Sequence, residues 1–210
     1  MLTLMWLACA PDPGEGKPKA EVVAVDPAPV AAPAAAPQGG LPVPAVAGTP
    51  LKLDRAKSRV DAVGAKITAT HPIVFHTFDG VVGVEGDVVK GVAFAVEVAS
   101  LEADKPKLTT HLKDADFLDA PTYPHATFAS TEITAGGEGG THTVTGDLTI
   151  HGKTLRVTFP ATIAVGAAEV SAKTEFTIDR QDFGVTYPGR PDDLVKDNVV
   201  LKIDLVAPRT

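Results

Sequence analysis

The sequence predicts an all-β fold, an antiparallel sandwich or barrel of about eight strands with one short helix, following a disordered Ala/Pro-rich tether. Three observations carry this. Between residues 51 and 208 one-sided runs of alternating apolar residues recur, separated by turn signals. Only one stretch there has helical spacing. Ten of the eighteen prolines lie in the first 50 residues, and a segment of that composition cannot bury a core.

The chain opens with an apolar decapeptide, MLTLMWLACA over residues 1–10, too short to cross a membrane as a helix and without a basic leader. It contains the chain's single cysteine, Cys9, so neither an intrachain disulfide nor a Cys-based metal site is available. Trp6-Leu7-Ala8-Cys9 resembles a bacterial lipobox, in which the cysteine is acylated and becomes the mature N-terminus. Trp6 stands where leucine is usual and the apolar stretch is short, as a start codon placed too late would explain. The alternative is a disordered N-terminus with an incidental cysteine. Residues 11–50 are expected to form a semi-rigid, partly polyproline tether between this segment and a folded domain at 51–208.

Within the domain, Val81–Val84 and Val92–Val98 are strand candidates, the second with Val92, Phe94, Val96 and Val98 on one face. A Gly-rich loop at 136–140 precedes a strand that alternates Val144, Gly146, Leu148 and Ile150 against Thr143, Thr145, Asp147 and Thr149. His151-Gly152 reads as a two-residue hairpin turn. Its return strand places Leu155, Val157, Phe159, Ala161, Ile163 and Val165 inside. Gly166-Ala167 turns into Val170, Ala172, Thr174, Phe176 and Ile178, and after a Pro/Gly loop at 188–191 the last strand carries Val199, Leu201, Ile203 and Leu205. About 160 residues suffice for a single core. The inward list is rich in Val, Ala and Thr and poor in large aromatics, which favours a barrel with room for a long apolar ligand over a sandwich filled by its own side chains. Phe94, Phe128, Leu148, Val157, Phe159, Phe176, Leu201 and Ile203 are the expected lumen-facing positions.

The helical stretch runs into His111–Ser130. Leu108 and Leu112 share a face, Thr109 or Thr110 is the expected cap, and Pro121 and Pro124 end the helix before a strand starting near Ala126. Leu112, Phe117, Leu118 and Tyr123 are expected to seal or line one end of the barrel. His111 either pins the helix through a hydrogen bond or meets a polar headgroup at the barrel mouth.

The net charge of −7 argues against nucleic acid or an anionic membrane surface as partner. None of the six histidines sits at metal-site spacing, although His71 and His76 are five apart. No nucleophile motif or phosphate loop is present. Asp182-Phe183-Gly184 reads as a strand exit, and Asp114, Asp116 and Asp119 as a solvated face lacking the glycine and terminal glutamate of a calcium loop.

HLKDADFLDAPTYPHATFAS, then VTGDLTIHGKTLRVTF, then EFTIDRQDFGV and a terminal alternating strand closely resemble, in this order, the YceI-like family of bacterial periplasmic lipocalin-fold proteins, over about residues 51–207. The resemblance implies an eight-stranded antiparallel barrel that binds a polyisoprenoid, such as an isoprenoid quinone or lipid, in its lumen. It also implies a periplasmic or cell-envelope location, no catalytic activity and no further cofactor. Here the protein is expected as a membrane-anchored lipoprotein through Cys9, with a homodimer left open. Two other functions are weighed: a stress-response envelope protein with a filled barrel, and an enzyme built on His71, His76 or His111.

Overall fold

Alternating sequence becomes paired strand almost everywhere it was read. The computed structural model describes residues 10–25 and 40–209. Its strands in chain order are β1 (Glu21–Ala24), β2 (Thr49–Lys52), β3 (Arg59–Lys66), β4 (Ala69–Phe75), β5 (Phe78–Glu85), β6 (Val88–Glu97), β7 (Leu101–Ala103), β8 (His125–Ala135), β9 (His142–Ile150), β10 (Lys153–Val165), β11 (Glu169–Asp179), β12 (Gly189–Arg190), β13 (Asp193–Leu194) and β14 (Asn198–Pro208). One helix, α1 (Pro106–Lys113), lies between β7 and β8.

β4 and β5 are two halves of one bent strand, as are β6 and β7 across a 3-10 turn at Val98–Ser100. Each half keeps its own partner: β5 pairs β6, and β4 pairs β7. With each bent strand counted once, hydrogen bonding passes through eight antiparallel strands, from β3 by way of β4/β5, β6/β7, β8, β9, β10, β11 and β14 back to β3. The inside and outside faces alternate as the period-two pattern requires. Along β10, Leu155, Val157, Phe159, Ala161 and Ile163 are all buried. Outside, the β9–β10 register sets Thr145 beside Thr158, Asp147 beside Arg156 and Thr149 beside Thr154, each joined by side-chain hydrogen bonds of 2.8–3.1 Å.

Residues 10–25 depart from the expected tether. β1 pairs in register with Leu155–Thr158 of β10, where β10 and β11 have splayed; those two strands pair directly only at 162–165 with 170–173. The backbone of Thr177 on β11 bonds Pro18 and Ala20, so the segment closes this seam from both sides. The physical reason is local: Ala20-Glu21-Val22-Val23-Ala24 is β-capable once past Pro18, and the splay leaves an unpaired edge for it. β2 likewise begins before residue 51 and pairs β5, while Asp54 donates its amide to Val206 of β14, bridging the gap at the other end of the barrel. Cys9 and residues 26–39 lie outside the described residues.

The helix also starts differently from its expected cap. Pro106 occupies the first turn, and the preceding Lys105 makes no side-chain cap bond. The Thr109 hydroxyl instead accepts from the Ala103 amide, and Thr110 donates back to the Pro106 carbonyl.

Candidate functional site

Four phenylalanines from four strands cross the barrel interior. Phe94 on β6 and Phe128 on β8 have ring centroids 5.6 Å apart, Phe128 and Phe159 5.6 Å, and Phe159 and Phe176 4.0 Å. Gly146 makes the room for this row, since a Cβ there would lie 2.5 Å from the Phe128 ring. Below the row the barrel is filled; the void among these side chains is about 30 Å³, the scale of one water.

Above the row lies a cavity of about 540 Å³ with overwhelmingly apolar walls. Its floor and sides include Phe94, Leu148, Ile178, Leu201 and Ile203 from the barrel, and its far wall Leu112, Phe117 and Leu118 from α1 and the turn after it. Val185, Tyr187 and Val195, from the segment that crosses this end between β11 and β14, complete the cover.

Of the expected site residues, Phe94, Phe117, Leu118, Leu148, Leu201, Ile203 and His111 line this cavity. Phe128, Val157, Phe159 and Phe176 also point inward but belong to the filled half; Val157 is 0% and Phe176 1% exposed. The division between the two groups has a simple cause. Strand alternation identifies the inner face but not the level along the barrel at which side chains stop meeting. Tyr123 does not line the cavity; its ring packs 4.6 Å from His151, over the hairpin turn where Gly152 has φ +72° and a Cβ would lie 2.4 Å from Tyr123. Ile73 and Phe75 of β4 and Tyr187 were missed. The alternation in β3 and β4 is interrupted by Gly64 and Pro72, and Tyr187 sits in a Pro/Gly loop without periodicity.

Several polar groups at this end are engaged with one another. His111 bonds Asp116 at 2.8 Å and its ring lies 4.8 Å from Phe117 and 4.9 Å from Tyr187. Buried His71 bonds Asp104 at 2.8 Å, and His76 bonds Glu102 at 2.9 Å. Arg180, 7% exposed, donates to the carbonyls of Val185, Val195 and Lys196 and to Asp197, fastening the crossing segment. Lys66 and Thr68 bind Asp193 from the same segment and hold its carboxyl below the usual carboxylate range. Among the described residues no three His, Cys, Asp or Glu side chains are arranged to hold a metal ion. The arrangement is an apolar container with a polar frame, suited to sequestering an apolar molecule.

Residues 51–207 match the family model described as the YceI-like domain. Among curated relatives, a UPF0312 protein of Pseudomonas putida (strain W619) is 39% identical over 100 residues, 45% of this chain and 52% of that protein. Another from Pseudomonas fluorescens (strain SBW25) is 34% identical over 117 residues, 53% of this chain and 60% of that protein. The chain thus spans about half to three fifths of these relatives. Among solved structures, BcnA of Burkholderia cenocepacia is 32% identical with a TM-score of 0.65, covering 74% of this chain and 99% of that one. A polyisoprenoid binding domain from Saccharophagus degradans shares the fold at 14% identity, TM-score 0.60, covering 76% of this chain and 98% of that domain.

Proposed function

This chain belongs to the YceI-like domain family, and we propose on that premise that it is a non-enzymatic binding protein that holds an isoprenoid lipid or quinone in its barrel. The observation that carries this reading is the apolar cavity of about 540 Å³ above the phenylalanine row. It is well above the roughly 300 Å³ at which small-molecule sites begin, so the filled-barrel reading is disfavoured. The name of the Saccharophagus domain supports the ligand class. The histidine-dependent enzyme reading loses ground because His71, His76 and His111 are each bound to a different carboxylate.

The proposed location is the bacterial cell envelope, with acylation of Cys9 as the membrane anchor. The lipobox-like Trp6–Cys9 supports it, and a multiply acylated cysteine gives stable anchoring at about 0.8 kcal/mol per buried CH₂. The test is to purify the full chain from bacterial envelope, extract it with organic solvent and analyse the extract by mass spectrometry. An isoprenoid near one per chain is expected. An extract free of isoprenoid, together with no saturable uptake of an added isoprenoid quinone, overturns the reading.

A further inference from the structure

Residues 10–25 lie outside the span of 51–207 that matches the family model, yet they complete the barrel wall. On the cavity side of the phenylalanine row β10 and β11 no longer pair with each other, and β1 fills the gap. Val22 stands opposite Val157 on one side, and the Ala20 amide donates to the Thr177 carbonyl on the other. Ala20 belongs to the same core cluster as Leu148, Ile178 and Phe183, and these three line the cavity. Without β1 this part of the wall would be an unpaired seam between two strands.

The strand that fills the seam is lightly held. Ala20 is the one buried residue of the segment, Val22 is half-buried and Val23 is 62% exposed. Apolar burial therefore secures little more than a methyl group, whereas β10 buries Leu155, Val157, Phe159, Ala161 and Ile163. The ion pair of Lys17 with Glu175, at 3.2 Å, is on the surface, where such pairs contribute little. Backbone bonds to β10 and Thr177 hold the rest, and release exchanges them for bonds to water.

Docking also strands a polar group. Thr177 lies on the outer face of β11 with Lys173, Glu175 and Asp179, a face composed for water. The segment covers it, so that Thr177 is 2% exposed and its hydroxyl has no hydrogen-bond partner. Gly14 lies so close above it that a Cβ there would be 2.8 Å from the hydroxyl oxygen. A buried hydroxyl without a partner opposes docking and regains water when the segment leaves. At its start the segment is tied to the cover of the cavity as well. The Ala10 amide donates to the Ile67 carbonyl at 2.7 Å, and the Lys196 ammonium of the crossing segment donates to the Ala10 carbonyl.

We propose that residues 10–25 are a detachable strap, and that the seam it fills between β10 and β11 is the route by which ligand enters and leaves the barrel. The proposal rests on the reading of the cavity as a ligand site. With the strap docked the seam is shut. With the strap released, an apolar chain passes sideways between the edges of β10 and β11, and the cover loses one of its fastenings. No residue of the strap lines the cavity, so its release changes how fast ligand exchanges rather than how tightly it is held.

The test uses the full chain with Cys9→Ser, Val23→Cys and Arg156→Cys. Val23 and Arg156 are paired across β1 and β10, so a disulfide between them holds the strap in oxidised protein and frees it on reduction. Cys9→Ser removes the competing thiol. A second variant, Ala20→Asp, releases the strap by placing a carboxylate in the seam. Amide exchange at Thr177, whose N–H donates to the Pro18 carbonyl, reports docking in each protein. The probe is anthraniloyl-labelled geranylgeraniol, and stopped-flow fluorescence gives its association and dissociation rates. The oxidised protein exchanges it at least about tenfold more slowly than the same protein reduced, and Ala20→Asp at least about tenfold faster than the parent. Association and dissociation change together, so Kd stays within about threefold. Equal rates in oxidised and reduced protein, or a change confined to dissociation, overturns the proposal and leaves the isoprenoid reading standing. No saturable uptake of the probe by the parent chain overturns both.

Discussion

Phe159 and Phe176 lie face to face, with 4.0 Å between centroids and 5° between ring planes. They come from adjacent strands that pair directly only further along, at 162–165 with 170–173. The stack therefore holds β10 and β11 together at the level where their backbones have begun to part, and it forms the filled side of the boundary beneath the cavity.

Phe176→Ala should remove this contact and leave a hole in a region with almost no free volume. A loss of about 3–5 kcal/mol is expected from large-to-small truncation of a fully buried aromatic, read as a lower urea midpoint. A loss below about 1 kcal/mol is what a loosely packed lumen would give, and it would show that the barrel is not filled at this level.

Leu201 is the contrasting position, on β14, half-buried because its side chain borders empty space. Leu201→Trp should fill that space with little strain, changing stability by less than about 1.5 kcal/mol. The isoprenoid recovered per chain should fall several-fold. Full recovery with the tryptophan in place would move the ligand away from this cavity.

Ala20 is 5% exposed and sits between β10 and β11 just before β1. Ala20→Asp introduces a carboxylate where no partner is available, at a penalty of several kcal/mol unless the segment leaves. Release is the expected outcome: residues 10–25 become cleavable by protease while the barrel's β-sheet circular dichroism persists. Unchanged protease resistance would mean that the segment is held by more than its fit into this seam.

Sequence periodicity located the strands because each has one buried face, and His151-Gly152 turns at φ 52° and 72° as its chemistry requires. It also identified Phe94, Leu148, Leu201 and Ile203 as inward. It had no access to the vertical position of the phenylalanine row, which depends on pairing register between non-adjacent segments. Nor could periodicity reveal which polar side chains border the cavity, because Lys66, Lys105 and the Arg190–Lys196 segment are separated along the chain and meet only in three dimensions. The docking of residues 10–25 was hidden for a different reason. Proline content marks what a segment cannot do alone, and here an open edge on β10 supplies the missing partner.

Asp193 makes the crossing segment sensitive to acid. Hydrogen bonding from Lys66, then Thr68, lowers its pKa in the folded chain, so its contribution is fully present above the unfolded value of about 3.9 and is lost as pH falls through the depressed folded value. Amide exchange in Val195 and Lys196, corrected for intrinsic rate, should stay flat from neutral pH to about 4 and rise below it. In Asp193→Asn the rise should be absent and the exchange already faster at neutral pH. A rise above about pH 5 would assign the transition to another group.

Arg180 gives the sharpest separation between a frame residue and a ligand residue. It lines the cavity, but its Nε, Nη1 and Nη2 already serve Lys196, Val185, Val195 and Asp197. A guanidinium so occupied has little left for a headgroup. Arg180→Lys keeps the charge but cannot reproduce the planar fork of donors. It should lower stability by about 3 kcal/mol, since several carbonyls of the crossing segment lose a charged donor. Ligand affinity, measured well below the melting transition, should change by less than about threefold. Were Arg180 a headgroup contact instead, the lysine variant would lose about tenfold or more in affinity while the melting temperature stayed nearly constant.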